Sequence, residues 1–328
     1  MINFEYFIKD CFSLDSFEQS KTYDYYICRY QKSERCRAVR NRVKAKEKIV
    51  LIKEGETAID GELSLFIEWN FSENEYRKVI LEEIDKINND SNICVDISGF
   101  EIPILFFLLN SLHKKKYYSL FDCIYAEPKY YNGEENTLLM SNDSNVRCLE
   151  ELTTGINADT QLDILIIAAG YHESSVRNIV TYKQKAEKIL LFGLPSTSPD
   201  MFSQNILQIK NISAEIISEA DFRALDNHLY APAFDPFIVA QQIANKVPTK
   251  YSNLYLAPLS SKPHALGMFI FFKWASKEKK NITMLYPYPR EYYEDSAVGI
   301  GKIWRYRVEL PSMAHNSPQG ERNPWEIR

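Results

Sequence analysis

Short apolar runs that alternate with longer amphipathic segments constrain the fold of this chain more than any other feature. The first half predicts strands over 23–29, 48–53, 92–97 and 121–126 and helices over 34–45, 73–88 and 102–115. The second half predicts strands over 162–168, 188–193, 253–258 and 281–286 and helices over 173–185, 199–209, 235–246 and 263–278. Nearly all-apolar strands indicate sheets buried on both faces, and their alternation with helices is typical of parallel sheets.

The two halves also resemble each other in sequence. "KEKIVLI" (46–52) matches "AEKILLF" (186–192) at an offset of 140, and "YDYYICRY" (23–30) matches "LDILIIAA" (162–169) at 139. "SNICVDIS" (91–98) matches "SNLYLAPL" (252–259) at an offset of 161, with some 21 extra residues expected between Gly193 and Phe234. Several blocks in the same order favour internal duplication, although any two strand–helix segments look somewhat alike.

We therefore predict an α/β fold of two tandem Rossmann-like parallel-sheet units, related by duplication and arranged as a pseudo-dimer. The first unit spans 1–145 and the second 155–310. The polar segment 133–160 marks the boundary between them, and residues 311–328, rich in Pro, Asn and Ser, form an irregular tail.

Composition excludes several classes of protein. The net charge of −5 gives no strong basic field, so direct nucleic-acid binding is not expected. The longest apolar runs fall far short of the roughly 20 residues that span a bilayer, and "MINFEYFIKD" lacks signal-peptide character, which predicts a cytoplasmic protein without a membrane partner. The six cysteines form no C-x-x-C pair, so we expect reduced thiols, and neither a metal nor an organic cofactor.

Four short polar turns follow predicted strands and precede predicted helices. They are "YQKSERC" (30–36), "DISGFEIP" (96–103), "AGYHESS" (169–175) and "PLSSKPH" (258–264). In open parallel sheets, ligands bind beyond the carboxyl ends of the strands, where helix N-termini point N–H groups outward. The sequence therefore predicts a ligand site at these turns.

Each turn offers residues with a functional and an ordinary interpretation. Lys262 opposes the dipole of its helix, a conflict that a bound phosphate resolves with help from Ser260 and Ser261; the alternative is an exposed lysine beside a serine cap. Asp96, followed by Ser98, suits a ribose hydroxyl or simply caps the next helix.

The remaining candidates have the same two interpretations. Glu34 and Arg35 either act on a ligand or pair with neighbours, and His172 and Glu173 act as acid and base or are structural. Trp304, beside Tyr306, either stacks on a base or packs in the core. The candidate ligand-binding residues are Arg35, Asp96, Ser98, His172, Ser260, Ser261, Lys262 and Trp304, and the candidate catalytic residues are Glu34, Glu173 and Lys262.

Familiar signatures are absent from the sequence. It contains no GxxxxGK[ST], GxGxxG, GxSxG or HExxH pattern, which argues against P-loop ATPases, common dinucleotide dehydrogenases, α/β-hydrolases and zincins.

"NLYLAPLSSKPHALGMFIF" resembles the strand–turn–helix of CRISPR-associated Rossmann fold (CARF) sensor domains. In that family a Gly/Thr/Lys-type turn contacts cyclic oligoadenylate, and Ser260, Ser261 and Lys262 fall on the matching turn, with Ser-Ser in place of Gly-Thr. "YICRYQKSERC" is similar to an E-R-C turn of uncharacterised bacterial proteins, a resemblance that implies a link to phage defence. Such sensors bind their ligand across a dimer axis, so the resemblance implies that a duplicated chain supplies both halves.

Three functions follow from these observations. The first is a nucleotide-binding sensor or regulator of a prokaryotic antiviral defence system. The second is a metal-free enzyme that cleaves the same ligand as a phosphodiesterase, with Lys262 stabilising charge, or as a glycosidase, with Glu34 or Glu173. The third is a scaffold subunit that binds a protein partner of such a system through its surface tyrosines.

Overall fold

The computed structural model describes residues 2–17, 21–57, 59, 61–67, 73–115, 119–131, 144–170, 172–197, 200–215, 228–278, 281–289 and 297–312. The helices within these ranges are α1 (Glu34–Arg42), α2 (Glu73–Ile84), α3 (Ile102–Lys115), α4 (Glu173–Tyr182), α5 (Met201–Glu215), α6 (Pro236–Lys246) and α7 (Lys262–Ala275), preceded by a 3₁₀ turn at Phe4–Tyr6. The strands are β1 (Lys9–Phe12), β2 (Tyr23–Arg29), β3 (Ala45–Lys53), β4 (Leu63–Ile67), β5 (Ile93–Asp96), β6 (Ser119–Ala126), β7 (Tyr130–Tyr131), β8 (Ser144–Thr153), β9 (Ile164–Ala168), β10 (Glu187–Gly193), β11 (His228–Ala231), β12 (Leu254–Pro258), β13 (Ile282–Pro289), β14 (Ala297–Val298) and β15 (Ile303–Leu310).

Two mostly parallel sheets share one arrangement of strands. The seven-stranded sheet has the order β1-β15-β6-β5-β2-β3-β4, and the six-stranded sheet has the order β11-β10-β9-β12-β13-β8. Each contains five parallel strands that, numbered along its own half of the chain, lie in the order 3-2-1-4-5. This order is that of a Rossmann-like sheet, and it confirms the predicted α/β class.

Strand pairing in the two sheets follows the same register. Tyr25 of β2 lies opposite Ile93 of β5, and adding 139 and 161 to these numbers gives Ile164 and Leu254, which pair in the second sheet. All of the central pairings behave in this way. Cys94 with Asp122 maps onto Tyr255 with Thr283 at an offset of 161, and Tyr25 with Glu47 maps onto Ile164 with Glu187 at offsets of 139 and 140.

Each half contributes one antiparallel strand to the sheet of the other half. β8 follows the strands of the first sheet in sequence but pairs with β13 of the second, and β15 follows the strands of the second sheet but pairs with β6 of the first. The short strands β7 and β14, which precede them, pair with each other. The two halves are therefore joined by a reciprocal exchange of strands.

The helices and sheets form five layers. One core packs α2, α3, α6 and α7 between the two sheets. A second core packs α4 and α5 on the outer face of the second sheet, and a third packs α1 on the outer face of the first. Because both faces of the central strands are covered, strands such as β5, β9 and β12 are buried along their whole length.

The exchanged strands fall where the sequence predicts something else. Residues 144–153 lie in the predicted polar boundary at 133–160, yet they form β8, whose polar side chains suit an edge strand with one covered face. Residues 303–310 fall in the predicted second unit but form part of the first sheet. The predicted irregular tail lies, from residue 313 onward, outside the described residues.

The connection between the second and third parallel strands is longer in the second half than in the first. β10 ends at Gly193 and β11 begins at His228, with α5 between them, whereas β3 ends at Lys53 and β4 begins at Leu63. Across the part of the chain that the structure describes, none of the helices combines the length and apolar character needed to cross a bilayer. Four of the six cysteines are buried as predicted, while Cys148 is partly exposed and Cys11 is exposed.

Candidate functional site

The four predicted turns lie at the point of each sheet where the strand order reverses. β2 leads into α1 and its neighbour β5 into α3; in the second sheet, β9 leads into α4 and its neighbour β12 into α7. Strands that run parallel and adjacent but connect in opposite directions leave a crevice at their carboxyl ends. Each sheet therefore has one such switch point, bordered by two of the four turns.

The crevices of the two sheets open at the same end of the molecule. Helices α3 and α7 lie side by side in the central layer and run in the same direction. The charge of Glu101, just before α3, acts on Lys262 at the start of α7, the rings of Phe106 and Phe269 lie 5.3 Å apart midway along, and near the ends Lys273 donates to Asn110 at 2.9 Å. Both helices start at strand carboxyl ends, so these edges of the two sheets lie together.

Charged residues from both halves meet at this end. Burial lowers the pKa of Lys262 to about 8, Glu101 acts to raise it, and Arg35 lowers it further. Lys262 and Arg35 each keep part of their surface accessible, so neither cation is sealed in the core. Three of the four turns thus contribute to one charged cluster: Arg35, Glu101 and Lys262.

Contacts within the first half fix the positions of Glu101 and Arg35. Arg29 Nε lies 3.8 Å from Glu101 Oε2, with both side chains buried. The amide of Gln31 donates to the carbonyl of Gly99 at 2.9 Å and so ties the β2–α1 turn to the β5–α3 turn. A Cβ at Gly99 would stand 3.0 Å from the carbonyl oxygen of Arg29, so the close approach of the two turns favours glycine. The N–H donor Arg35 Nη1 binds the carbonyl of Ala126 at 3.0 Å.

Asp96 and Ser98 occupy a buried hydrogen-bond network. Asp96 accepts from the hydroxyl of Tyr26 and from the backbone N–H of Ser98, each at 2.9 Å. Ser98 Oγ in turn accepts from the backbone N–H of Ala126 at 2.8 Å. Burial raises the pKa of Asp96, while Ser98, Tyr26 and Arg35 act to lower it. The geometry gives both residues the role of fixing the turn beneath the charged cluster.

The two turns of the second half touch through a glycine. A Cβ at Gly170 would stand 1.8 Å from the carbonyl oxygen of Leu259, so the chain there has room only for glycine. His172, next to this contact, is buried, and its Nδ1 lies 2.7 Å from Ser175 Oγ and 3.0 Å from Ser174 Oγ. These contacts give His172 a structural role at the start of α4.

The serines of the β12–α7 turn differ from each other. Ser261 is the N-cap of α7: its hydroxyl accepts from the N–H of His264 at 3.3 Å and donates to the carbonyl of Ala233 at 2.5 Å. That hydroxyl therefore already donates one hydrogen bond and accepts another within the protein. Ser260 is partly exposed beside Lys262, where it can reach a ligand.

The two candidate catalytic glutamates open α1 and α4 at equivalent positions. Glu34 is exposed. Glu173 binds Arg177, one helical turn later, with Oε1 and Nη2 2.9 Å apart. Both suit the ordinary placement of an acid in the first turn of a helix.

Trp304 packs against protein. Its ring stacks on Phe234 with centroids 4.4 Å apart and planes 7° apart, and its N–H donates to Glu127 Oε2 at 3.2 Å. Since one face of the indole is already covered, the core-packing interpretation describes Trp304.

The site residues predicted from the sequence do not include Arg29, Cys36 or Glu101. Glu101 could have been found from the repeat, because adding 161 to its number gives Lys262. Arg29 is a cation at the end of an apolar strand, a pattern that signals a buried charge near a site. Burial raises the pKa of the Cys36 thiol to about 11, so it is not a nucleophile at neutral pH.

A separate small cavity lies along α3, between α2 and β8. Its polar lining groups bind one another: Glu151 accepts from Arg77 and, at 2.6 Å, from Asn110. The described ranges hold no cluster of three or more His, Cys, Asp or Glu side chains placed to bind a metal ion. The four turns therefore remain the candidate site.

Comparisons of the chain with models of protein families, with curated proteins and with solved structures find no match.

Proposed function

We propose that this chain binds a phosphate-bearing nucleotide between the carboxyl ends of its two sheets. The observation that carries the proposal is the placement of Arg35 and Lys262, two partly exposed cations from different halves, in the first turns of helices that begin at the carboxyl ends of the two sheets. The carboxylate of Glu101 partly offsets the repulsion between these cations, and a bound phosphate would add to that offset.

The helix ends strengthen the case for an anion. Arg35 and Lys262 both lie in the first turn of a helix, where the partial positive charge of the helix N-terminus disfavours a cation. A phosphate group would neutralise the cations and accept from backbone N–H groups at the same time. Glu101 is buried against Arg29, so it supports the cluster from the protein side.

We also propose that the two halves arose by internal duplication and form a pseudo-dimer. Support comes from the shared strand order, from strand registers that match at the offsets read from the sequence, and from the reciprocal exchange of β8 and β15. A chain with this history supplies both sides of a crevice that a dimer would otherwise form.

A sensor role extends this proposal. What supports it is the resemblance of the β12–α7 turn, which carries Ser260, Ser261 and Lys262, to the ligand-contacting turn of CARF domains. In this role the nucleotide is a signal of a prokaryotic antiviral defence system, and its binding changes how the chain engages a protein partner.

Thermal unfolding with a panel of mononucleotides, linear dinucleotides and cyclic oligonucleotides tests the binding. A ligand at 100 times its dissociation constant should stabilise the fold by roughly 2.7 kcal/mol. Arg35→Ala and Lys262→Ala should abolish this stabilisation, while Lys32→Ala, an exposed lysine in the same turn as Arg35, should retain it. Stabilisation by no member of the panel, or equal stabilisation in all variants, would contradict the proposal.

A further inference from the structure

The exchanged strands β8 and β15 have different neighbours at their outer edges. β15 lies between β6 and β1, and β1 pairs with it from Lys9 opposite Tyr306 to Phe12 opposite Ile303. Of the strands that the structure describes, only β13 pairs with β8, which is the last strand of its sheet. The backbone N–H and C=O groups along the outer edge of β8 are therefore a template on which a further strand can form.

β8 and β15 nevertheless occupy corresponding places in the two halves. Trp304 of β15 lies opposite Tyr125, and Arg147 of β8 lies opposite Tyr286, whose number exceeds that of Tyr125 by the offset of 161. The same offset carries the bounds of α2, 73–84, to 234–245, which overlaps α6. Each half thus has a corresponding space between an exchanged strand and the helix next to it.

In the first half the N-terminal segment of the chain fills this space. The 3₁₀ turn that precedes β1 lies on α6, where the buried Phe4 donates its backbone N–H to Gln241 Oε1 at 2.9 Å. The ring centroid of Phe7 lies 5.3 Å from that of Phe237, which in turn lies 6.0 Å from that of Tyr306 on β15. The segment therefore inserts aromatic rings between helix and strand before it continues along β15 as β1.

The corresponding space in the second half is the small cavity along α3. Tyr76 of α2, which corresponds to Phe237 at the offset of 161, lines it together with Leu149 and Leu152 of β8. No described segment fills this cavity as the N-terminal segment fills its counterpart. We call it the β8 groove and define it by six of its lining residues: Tyr76, Arg77, Phe107, Asn110, Leu149 and Glu151.

Positive charge surrounds one side of the β8 groove. Glu151 accepts from Arg77 and from Lys114, the latter with Nζ 3.0 Å from Oε2, and both cations keep part of their side chains accessible. Lys273 Nζ donates to Asn110 Oδ1 at 2.9 Å, and Asn110 donates to Glu151. Among the described side chains of this network, three cations therefore meet a single carboxylate, and a partner that brings a further acid would complement them.

We propose that the β8 groove is the docking surface for an extended peptide of a partner protein. The peptide pairs with the outer edge of β8 and inserts an aromatic side chain beside Tyr76 and Leu149. It places an acidic side chain against Arg77 and Lys114. This is strand addition to a sheet edge, in which backbone hydrogen bonds give affinity and side-chain pockets give specificity. The proposal goes beyond nucleotide binding and does not depend on it.

Fluorescence anisotropy with a labelled peptide tests the proposal. The probe has the sequence of residues 2–12 with Cys11→Ser, because this segment carries aromatic rings and, in Glu5 and Asp10, two acids. The chain's own copy stays in place, since a tethered segment competes at an effective concentration of about millimolar, so binding of the probe reports on the β8 groove. A probe that also carries Phe7→Ala should bind at least about tenfold more weakly.

A matched pair of charge reversals on α2 locates the bound probe. Arg77→Glu, in the β8 groove, should weaken binding at least about tenfold, whereas Lys78→Glu, at the adjacent exposed position, should leave it within about twofold of the native affinity. Because Arg77 also binds Glu151, a melting curve checks that this variant is folded. The Phe7→Ala probe tests the groove without any change to the chain.

Three results would overturn the proposal. The first is no binding of the probe up to about 1 mM, or equal affinity of the Phe7→Ala probe. The second is an equal effect of the two charge reversals. The third is a native chain that sediments as a dimer and becomes a monomer in Arg77→Glu, because the β8 groove would then hold a second copy. None of these results bears on nucleotide binding, which the nucleotide panel tests with Arg35→Ala and Lys262→Ala.

Discussion

Glu101 and Lys262 correspond to each other in the two halves, and the carboxylate of the first acts on the ammonium of the second. Burial lowers the pKa of Lys262 to about 8, and Glu101 opposes that shift without cancelling it. At neutral pH the lysine is therefore still mostly charged, and the nearby acid contributes to keeping it so. This relationship makes the candidate site sensitive to pH in the range just above neutrality.

Anion binding should weaken as the pH rises through about 8. The cationic form of Lys262 is lost there, and the affinity for a nucleotide that binds below pH 8 should fall by up to about tenfold per pH unit. Of the other groups that act on Lys262, Arg35 stays charged throughout this pH range. Cys36, with a pKa of about 11, loses its proton only at higher pH. Lys262→Arg, which cannot lose its charge, should give a flat profile in calorimetric titrations between pH 7 and 9.5. A slope in that variant equal to the native one would assign the titration to another group.

Gly170→Ala should destabilise the chain and disturb the candidate site. The new Cβ would stand 1.8 Å from the carbonyl oxygen of Leu259, so the two turns of the second half must separate. Forcing a group into so tight a contact costs about 1–3 kcal/mol or more, which urea unfolding measures. Gly301→Ala is the matched control, since its Cβ would lie 3.3 Å from the nearest atom and should cost less. Equal costs at both positions would show that the two turns adjust freely.

Trp304→Ala should cost about 3–5 kcal/mol of unfolding free energy. The change removes the stack on Phe234 and leaves Glu127, whose pKa burial raises, without its indole donor. Tyr130→Ala, at a side chain that is 59% exposed, should change the free energy by no more than about 0.5 kcal/mol. A small effect at Trp304 would mean that β15, the strand exchanged from the second half, adds little to the first sheet.

The central strands and their turns could be predicted from the sequence because local patterns determine them. Apolar runs such as Ile164–Ala168 and Leu254–Pro258 have to be buried on both faces, and the polar residues that follow have to lie at the carboxyl edge. The offsets between the matching blocks also agree with the strand register. A slip of one residue would turn each side chain to the opposite face of the sheet, so register follows the apolar pattern.

The exchange of β8 and β15 could not be predicted in this way. Whether an edge strand joins its own sheet or the neighbouring one depends on long-range hydrogen bonds, such as those that pair Tyr306 with Cys123, and leaves no local pattern. The same limit applies to the charged cluster. Lys262 stood out from its place at a helix start, whereas Glu101 and Arg29 gain their importance from neighbours that are distant in sequence.

Two buried histidines should make the fold sensitive to acid. Burial lowers the pKa of both His113 and His264 to about 4, from an ordinary value of 6.5. The ring Nε2 of His113 lies 2.7 Å from the carbonyl of Pro311, and that of His264 lies 3.0 Å from the carbonyl of Pro232. Both contacts suit neutral rings that donate from Nε2.

The unfolded chain binds protons at these histidines below about pH 6.5, while the folded chain resists until about pH 4. Stability should therefore fall as the pH drops through this window, by up to roughly 3 kcal/mol for each histidine. Because the pKa of Asp96 is raised by burial and acts in the opposite direction, the measurement is the difference between native and variant chains. His264→Gln should flatten the dependence of the unfolding free energy on pH between 4 and 6.5. An unchanged slope in that variant would show that His264 is charged in the folded chain.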